Sequence, residues 1–183
     1  MFTTTGRYWN LAEAVTSNCK RNPVKKIILL LLLTFSTLSN GQTRTPKFLK
    51  LTQNEVKYIE ENYNWNDEEF LLVDFRMPSG RCHYDNYENL EVSMEWWKKF
   101  YSNIKLENVA KRFVFSDSVR AHSILDSKTK IADKRNFLLN KFFKEVKACH
   151  GVLIADKSGN VGYMFGECTE QDIESLFKKI KNY

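Results

Sequence analysis

Two periods alternate along this chain. Phe70-Leu71-Leu72-Val73-Asp74-Phe75 is a continuous apolar run of the kind a buried strand shows, and Val109–Phe115 (VAKRFVF) reads as a second strand. Gly151–Ala155 (GVLIA) and Val161–Phe165 (VGYMF) flank Asp156-Lys157-Ser158-Gly159, a turn with glycine where the backbone must go left-handed, so they predict a hairpin. Helical spacing fills the intervals. Thr52 caps a predicted helix through Tyr63, with Val56 and Ile59 on the same face as Tyr63. Asp85-x-x-Glu88 has the form of a capping box ahead of Leu90, Met94, Trp97 and Tyr101. Phe137–Val146 places Leu139, Phe142, Phe143 and Val146 on one side, and Thr169 with Asp172 caps a last helix striped by Ile173, Leu176, Phe177 and Ile180.

The order strand, helix, strand, helix, hairpin, helix predicts an α/β sandwich in three layers. Its mixed central sheet should have four to five strands, with parallel neighbours from the strand–helix–strand units and an antiparallel edge from the hairpin. Residues 42–67 are expected as a lead-in to a domain spanning 68–183.

The first 41 residues have a different character. Lys20, Arg21, Lys25 and Lys26 precede the apolar run Ile27–Leu38, which gives way to Ser39-Asn40-Gly41-Gln42, so basic, apolar and small-residue regions stand in secretory order. This predicts a leader at 1–41 and an exported, periplasmic or secreted protein. A membrane-spanning helix needs about 20 apolar residues, more than this run offers, and an uncleaved anchor is the alternative. The leader is already complete from Val24, so translation is expected to begin there, with residues 1–23 upstream of it. Five of the 28 Lys and Arg but one of the 22 Asp and Glu precede Gln42, leaving a net charge of about +2 beyond it. That is too small to argue for a nucleic-acid surface.

At the residues LLVDF before a loop, GVLIADKSGNVGYMFGE near the end and the amphipathic terminal helix, the chain resembles the thioredoxin-like superfamily, in particular its exported TlpA-like members, over Glu68 to Tyr183. The resemblance implies a thioredoxin-like sandwich and thiol–disulfide chemistry in the loop after the first strand. It implies no cofactor. The departures carry equal weight. Family enzymes use C-x-x-C, in which a thiolate of lowered pKa attacks and the second thiol resolves. Here the tetrad is Ser79-Gly80-Arg81-Cys82, and counting without a gap gives Gly80 and His83; the dithiol is absent in both alignments. Where the family places a cis-proline, this chain has Cys149-His150-Gly151.

Cys82, Cys149 and Cys168 remain beyond the leader, an odd number that suggests one disulfide and one free thiol in an oxidising compartment. If the hairpin closes symmetrically about Ser158-Gly159, Ile154 faces Tyr163 and Cys149 falls opposite Cys168, stapling its ends. A three-residue turn with a glycine bulge instead puts Cys149 opposite Glu167. The competing pair, Cys82 with Cys149, follows from the resemblance, which sets the active-site loop against the start of that strand. Arg81 and His83 flank Cys82 and favour thiolate, and His150 is placed to approach it from the opposing strand; an inert half-buried thiol and a packed histidine are the plain alternatives. No residue pair has metal-site spacing. On helix 90–101, Trp96 alone is left as a surface aromatic.

Two functions follow. One is a non-catalytic or weakly redox-active envelope protein that holds a protein or peptide partner. The other is a thiol–disulfide oxidoreductase with Cys82 as reacting group and Cys149 as resolving partner. The partner's identity and the oligomeric state are not encoded in any motif.

Overall fold

The computed structural model describes residues 45–78, 82, 86–144 and 148–183. Six strands, β1 (Lys47–Lys50), β2 (Phe70–Arg76), β3 (Val109–Phe115), β4 (Lys130–Ala132), β5 (His150–Asp156) and β6 (Asn160–Phe165), form one sheet in the order β1-β6-β5-β2-β3-β4. Helices α1 (Gln53–Tyr63), α2 (Leu90–Asn103) and α3 (Glu170–Lys181) cover its faces. The fold is the α/β three-layer sandwich of thioredoxin-like type, with six strands in place of four to five. The two extra strands are β1, whose KFLK adds an antiparallel edge to β6 from within the expected lead-in, and the three-residue β4, parallel to β3.

Side chains alternate across β2, so its even-numbered residues face one layer and its odd-numbered residues the other. Phe70 and Leu72 pack with Met94, Trp97 and Tyr101 of α2 and Ile173, Leu176 and Phe177 of α3. Leu71, Val73 and Phe75 pack with Val56, Ile59 and Tyr63 of α1 and with Phe142 and Phe143. Both faces of β2 are buried, which is why Phe70–Val73 and Phe75 are apolar on both faces rather than alternating with polar residues.

Local chemistry sets the helix ends. Thr52 Oγ1 accepts from the Glu55 amide while the Glu55 carboxylate accepts from the Thr52 amide, and Thr169 with Asp172 repeats the arrangement on α3. Asn64 ends α1 in the left-handed region (φ 54°), a conformation that Asn tolerates. At the start of α2 the expected box is not described, because Asp85 lies outside the described residues. Asn86 Oδ1 accepts instead from the amides of Glu88 and Asn89, both at 3.0 Å.

Three expectations change. The second strand–helix–strand unit does not make β3 and β5 neighbours: β4 takes the place beside β3, and β5 pairs with the other side of β2, antiparallel. The helix expected over 137–146 starts at Phe137 as expected but winds as a π-helix over Leu139–Phe143, and is preceded by Arg135 (φ 56°) and Asn136 (φ 52°) in left-handed conformation; 145–147 lie outside the described residues. Buried Asp133 orders this corner by accepting from Tyr63 Oη (2.7 Å) and the amides of Leu138 (3.1 Å) and Leu139 (2.9 Å). Burial nonetheless pushes the Asp133 carboxyl above its ordinary pKa.

Third, the hairpin closes one residue away from the symmetric register. Ile154 faces Gly162 and Ala155 faces Val161, because the turn has three residues, Lys157, Ser158 and Gly159. Gly159 sits at φ 90°, where a Cβ would also lie 2.8 Å from the Leu51 carbonyl oxygen, so only glycine fits this turn. Asp156 fixes it by accepting the Gly159 amide on its backbone carbonyl (2.9 Å) and the Asn160 amide on its carboxylate (2.8 Å).

The turn that leads into β4 gives a pH prediction. Partial burial alone would raise the Asp126 pKa, but the amides of Lys130, Lys128 and Thr129 and the Thr129 hydroxyl outweigh it and hold the carboxyl well below the usual range. A depressed folded pKa gives stability that is present above about pH 4 and is lost as pH falls further. Asp126→Asn is therefore expected to unfold earlier in urea at pH 7, with the gap to wild type closing toward pH 2. A gap that stays constant across that range would contradict it.

Candidate functional site

Arg76, at the end of β2, pairs across the ladder with His150 of β5, and the next amide, Met77 N, donates to the Cys149 carbonyl at 2.8 Å. The loop that leaves β2 thus starts against the segment that enters β5. Cys82 and Cys149 are joined there in a disulfide with Cα atoms 5.8 Å apart, Cys82 buried and Cys149 half-buried. Ser79, Arg81 and His83 lie outside the described residues.

The pairing of Cys149 with Cys168 is not formed. The bulged turn displaces Cys149 by one position, and Cys168 is buried outside any disulfide among the side chains between the sheet and α3. Its Sγ lies 3.4 Å from the Gly166 carbonyl oxygen.

Behind the disulfide, on the α2 face of the sheet, lies a buried polar cluster that the strand pattern did not reveal. Arg76 and Asp74 are both about 1 % exposed and bind in two-pronged fashion, Nε to Oδ1 at 2.7 Å and Nη2 to Oδ2 at 2.8 Å. The Arg76 guanidinium lies 4.0 Å from the Trp97 ring centroid, and the same ring meets His150 edge-on at 5.0 Å. Burial first, and the Asp74 carboxylate second, push the Tyr101 phenol far above its ordinary pKa. The signal was present in the sequence: two charges at i and i+2 of a strand share one face.

On the solvent side of this cluster a groove of about 1180 Å³ runs between α2 and the start of α3. Trp96, Trp97 and Phe100 form its aromatic wall, and His150 and Cys168 line its inner part. Trp96 is 58 % exposed, stacks on Phe100 (5.5 Å between centroids, 12° between planes) and meets Trp97 edge-on (4.6 Å). Val92, at 77 % exposed, extends the apolar surface by one helical turn. His150 is thus common to the groove and, through Cys149, to the disulfide.

No family model and no curated protein matches the chain. Among solved structures it is similar to a thioredoxin-like protein from Bacteroides caccae ATCC 43185, with 15 % identity, TM-score 0.39 and coverage of 86 % of this chain and 56 % of that one. StoA from Bacillus subtilis gives 10 % identity, TM-score 0.40 and coverage of 73 % and 98 %. A hypothetical protein from Sinorhizobium meliloti 1021 gives 13 %, 0.36, 74 % and 82 %. The chain thus spans a little over half the length of the first of these. In its own strand order, with β2 and β3 parallel, the β5–β6 hairpin antiparallel beside β2 and helices on both faces, this chain has a thioredoxin-like fold.

Proposed function

We propose that this is an exported thioredoxin-like protein that binds a protein or peptide partner in the groove between α2 and α3, with the Cys82–Cys149 disulfide bracing the adjoining loop. The observation that carries this reading is the groove itself. It is open, large and walled by partly exposed aromatic rings, the kind of surface that excludes water around an apolar side chain. The leader-like sequence before Gln42 and the disulfide both fit an oxidising compartment. Among the described residues no helix is long and apolar enough to cross a membrane.

A second reading is favoured by one observation, the pairing of Cys82 with Cys149. As an oxidant, the disulfide would be attacked by a partner thiolate at the less buried of the two cysteines, Cys149. The S–S bond breaks, Cys82 leaves as thiolate, and a second partner thiol attacks the mixed disulfide, giving a reduced protein and an oxidised partner. The exposure of the two residues reverses the roles expected from sequence.

Insulin-disulfide reduction with dithiothreitol as electron donor separates the two. The binding reading expects turnover no faster than the protein-free blank, for wild type and for Cys82→Ser alike. Acceleration that is lost in Cys82→Ser and Cys149→Ser would replace it with the oxidoreductase.

A further inference from the structure

We infer that the groove selects a basic segment, an extended peptide in which Lys or Arg flanks one aromatic or branched apolar side chain. This rests on the binding reading above and adds the chemical class of the partner. The charged groups at the groove are unbalanced. Glu167 and Glu170 line it, and among the described residues no Lys or Arg does. The start of a helix would ordinarily favour an anion. Here that attraction is already spent. Thr169 and Asp172 satisfy each other's groups in the capping box, and Glu170 and Asp172 supply two carboxylates to the first turn. The end of the groove against α3 therefore presents net negative charge in a protein whose formal charge beyond the leader is about +2.

The aromatic wall supports the same occupant. Trp96 is the most exposed aromatic of the wall and stacks on Phe100, leaving ring surface to solvent, and an indole face is the strongest side-chain partner for a cation. A peptide laid along α2 would seat its apolar side chain against Trp97 and Phe100, toward His150 and Cys168. Its flanking cations would then meet Trp96 on one side and Glu167 and Glu170 on the other. An acidic segment would meet two carboxylates with no compensating charge.

The test uses the full chain and three peptides of identical apolar pattern, Lys-Phe-Lys-Leu-Lys, Gln-Phe-Gln-Leu-Gln and Glu-Phe-Glu-Leu-Glu, each carrying an uncharged dye and read by fluorescence anisotropy. The Lys peptide is expected to bind on the order of tenfold more tightly than the Glu peptide at low salt, as two partly exposed ion pairs allow. The preference should fall to about twofold or less in the Glu167→Gln, Glu170→Gln double variant, and Trp96→Ala should weaken all three. Equal binding of the three peptides that Trp96→Ala abolishes would overturn the charge selection and leave the groove as the binding site. No binding, or binding indifferent to Trp96→Ala, would overturn both.

Discussion

Arg76→Met is expected to destabilise the protein by about 3–5 kcal/mol, the cost of leaving one member of a buried ion pair without the other. Arg76 and Asp74 lie on the strand at the centre of the sheet, each about 1 % exposed, with two short contacts between guanidinium and carboxylate. A methionine at position 76 retains much of the apolar stem and can still lie under Trp97, so lost packing is not the main term. What remains is a buried carboxylate beside Tyr101 with no guanidinium next to it. Asp74→Leu should also destabilise, since it takes the two-pronged carboxylate contact away from a buried guanidinium. The double variant is the discriminating one. An apolar pair of similar volume avoids both desolvation penalties, so Asp74→Leu with Arg76→Met should recover to within about 1–2 kcal/mol of wild type, or exceed it. Urea unfolding of the four proteins at pH 7 gives the cycle directly. A double variant as unstable as the sum of the singles would mean that the two side chains are not coupled, and would overturn this account of the single losses.

The outlines of this fold were written in features of short range. Thr52 and Thr169 each sit three residues before an acidic partner, and the structure uses both boxes. The apolar stripes of α1, α2 and α3 are the buried faces, and Trp96, the one aromatic that the α2 stripe leaves over, is the exposed one. What escaped is set by longer-range geometry. Four residues of β1 bounded by lysines and three residues of β4 are too short for a period to show, and each is a strand only because a neighbour lies beside it. The direction of β5 depends on where the chain returns after Asp133, a corner built from a buried carboxylate and two left-handed residues rather than from any periodic pattern. The cysteine pairing hung on a single residue in the turn. Both registers agree with the apolar alternation of each strand taken alone, and Gly159 with the Asp156 carboxylate selects the bulged one. The groove was invisible for a related reason: it belongs to α2 and α3 jointly, whose nearest ends, Asn103 and Glu170, are 67 positions apart, and to no segment by itself.

Loss of the Cys82–Cys149 bond is expected to lower stability by about 3–4 kcal/mol, or roughly 10–15 °C in Tm. The two cysteines are 67 positions apart, and the chain between them contains α2, β3, β4 and the π-helical stretch, so the cross-link restrains nearly half of the sheet-forming region in the unfolded state. Closure of a loop that long corresponds to about 4 kcal/mol in the chain-entropy account. The folded state gives little of this back. The hydrogen bond from Met77 N to the Cys149 carbonyl and the full β2–β5 ladder do not require the sulfurs, and they hold the same two segments together. Cys82→Ser and Cys149→Ser should therefore fold, melt at nearly the same lowered temperature, and lose all further sensitivity to dithiothreitol. Wild type with dithiothreitol should fall to meet them. Cys168→Ser reports a different property, since it exchanges a buried thiol for a hydroxyl and should cost about 1–2 kcal/mol whether or not reductant is present. Peptide mapping of the non-reduced Cys82→Ser protein completes the case. Free Cys149 and Cys168 are expected, because the bulged register holds them out of line; a Cys149–Cys168 bond in that variant would show that the hairpin can slip by one residue, and that the choice of partner is made by the cysteines rather than by the turn.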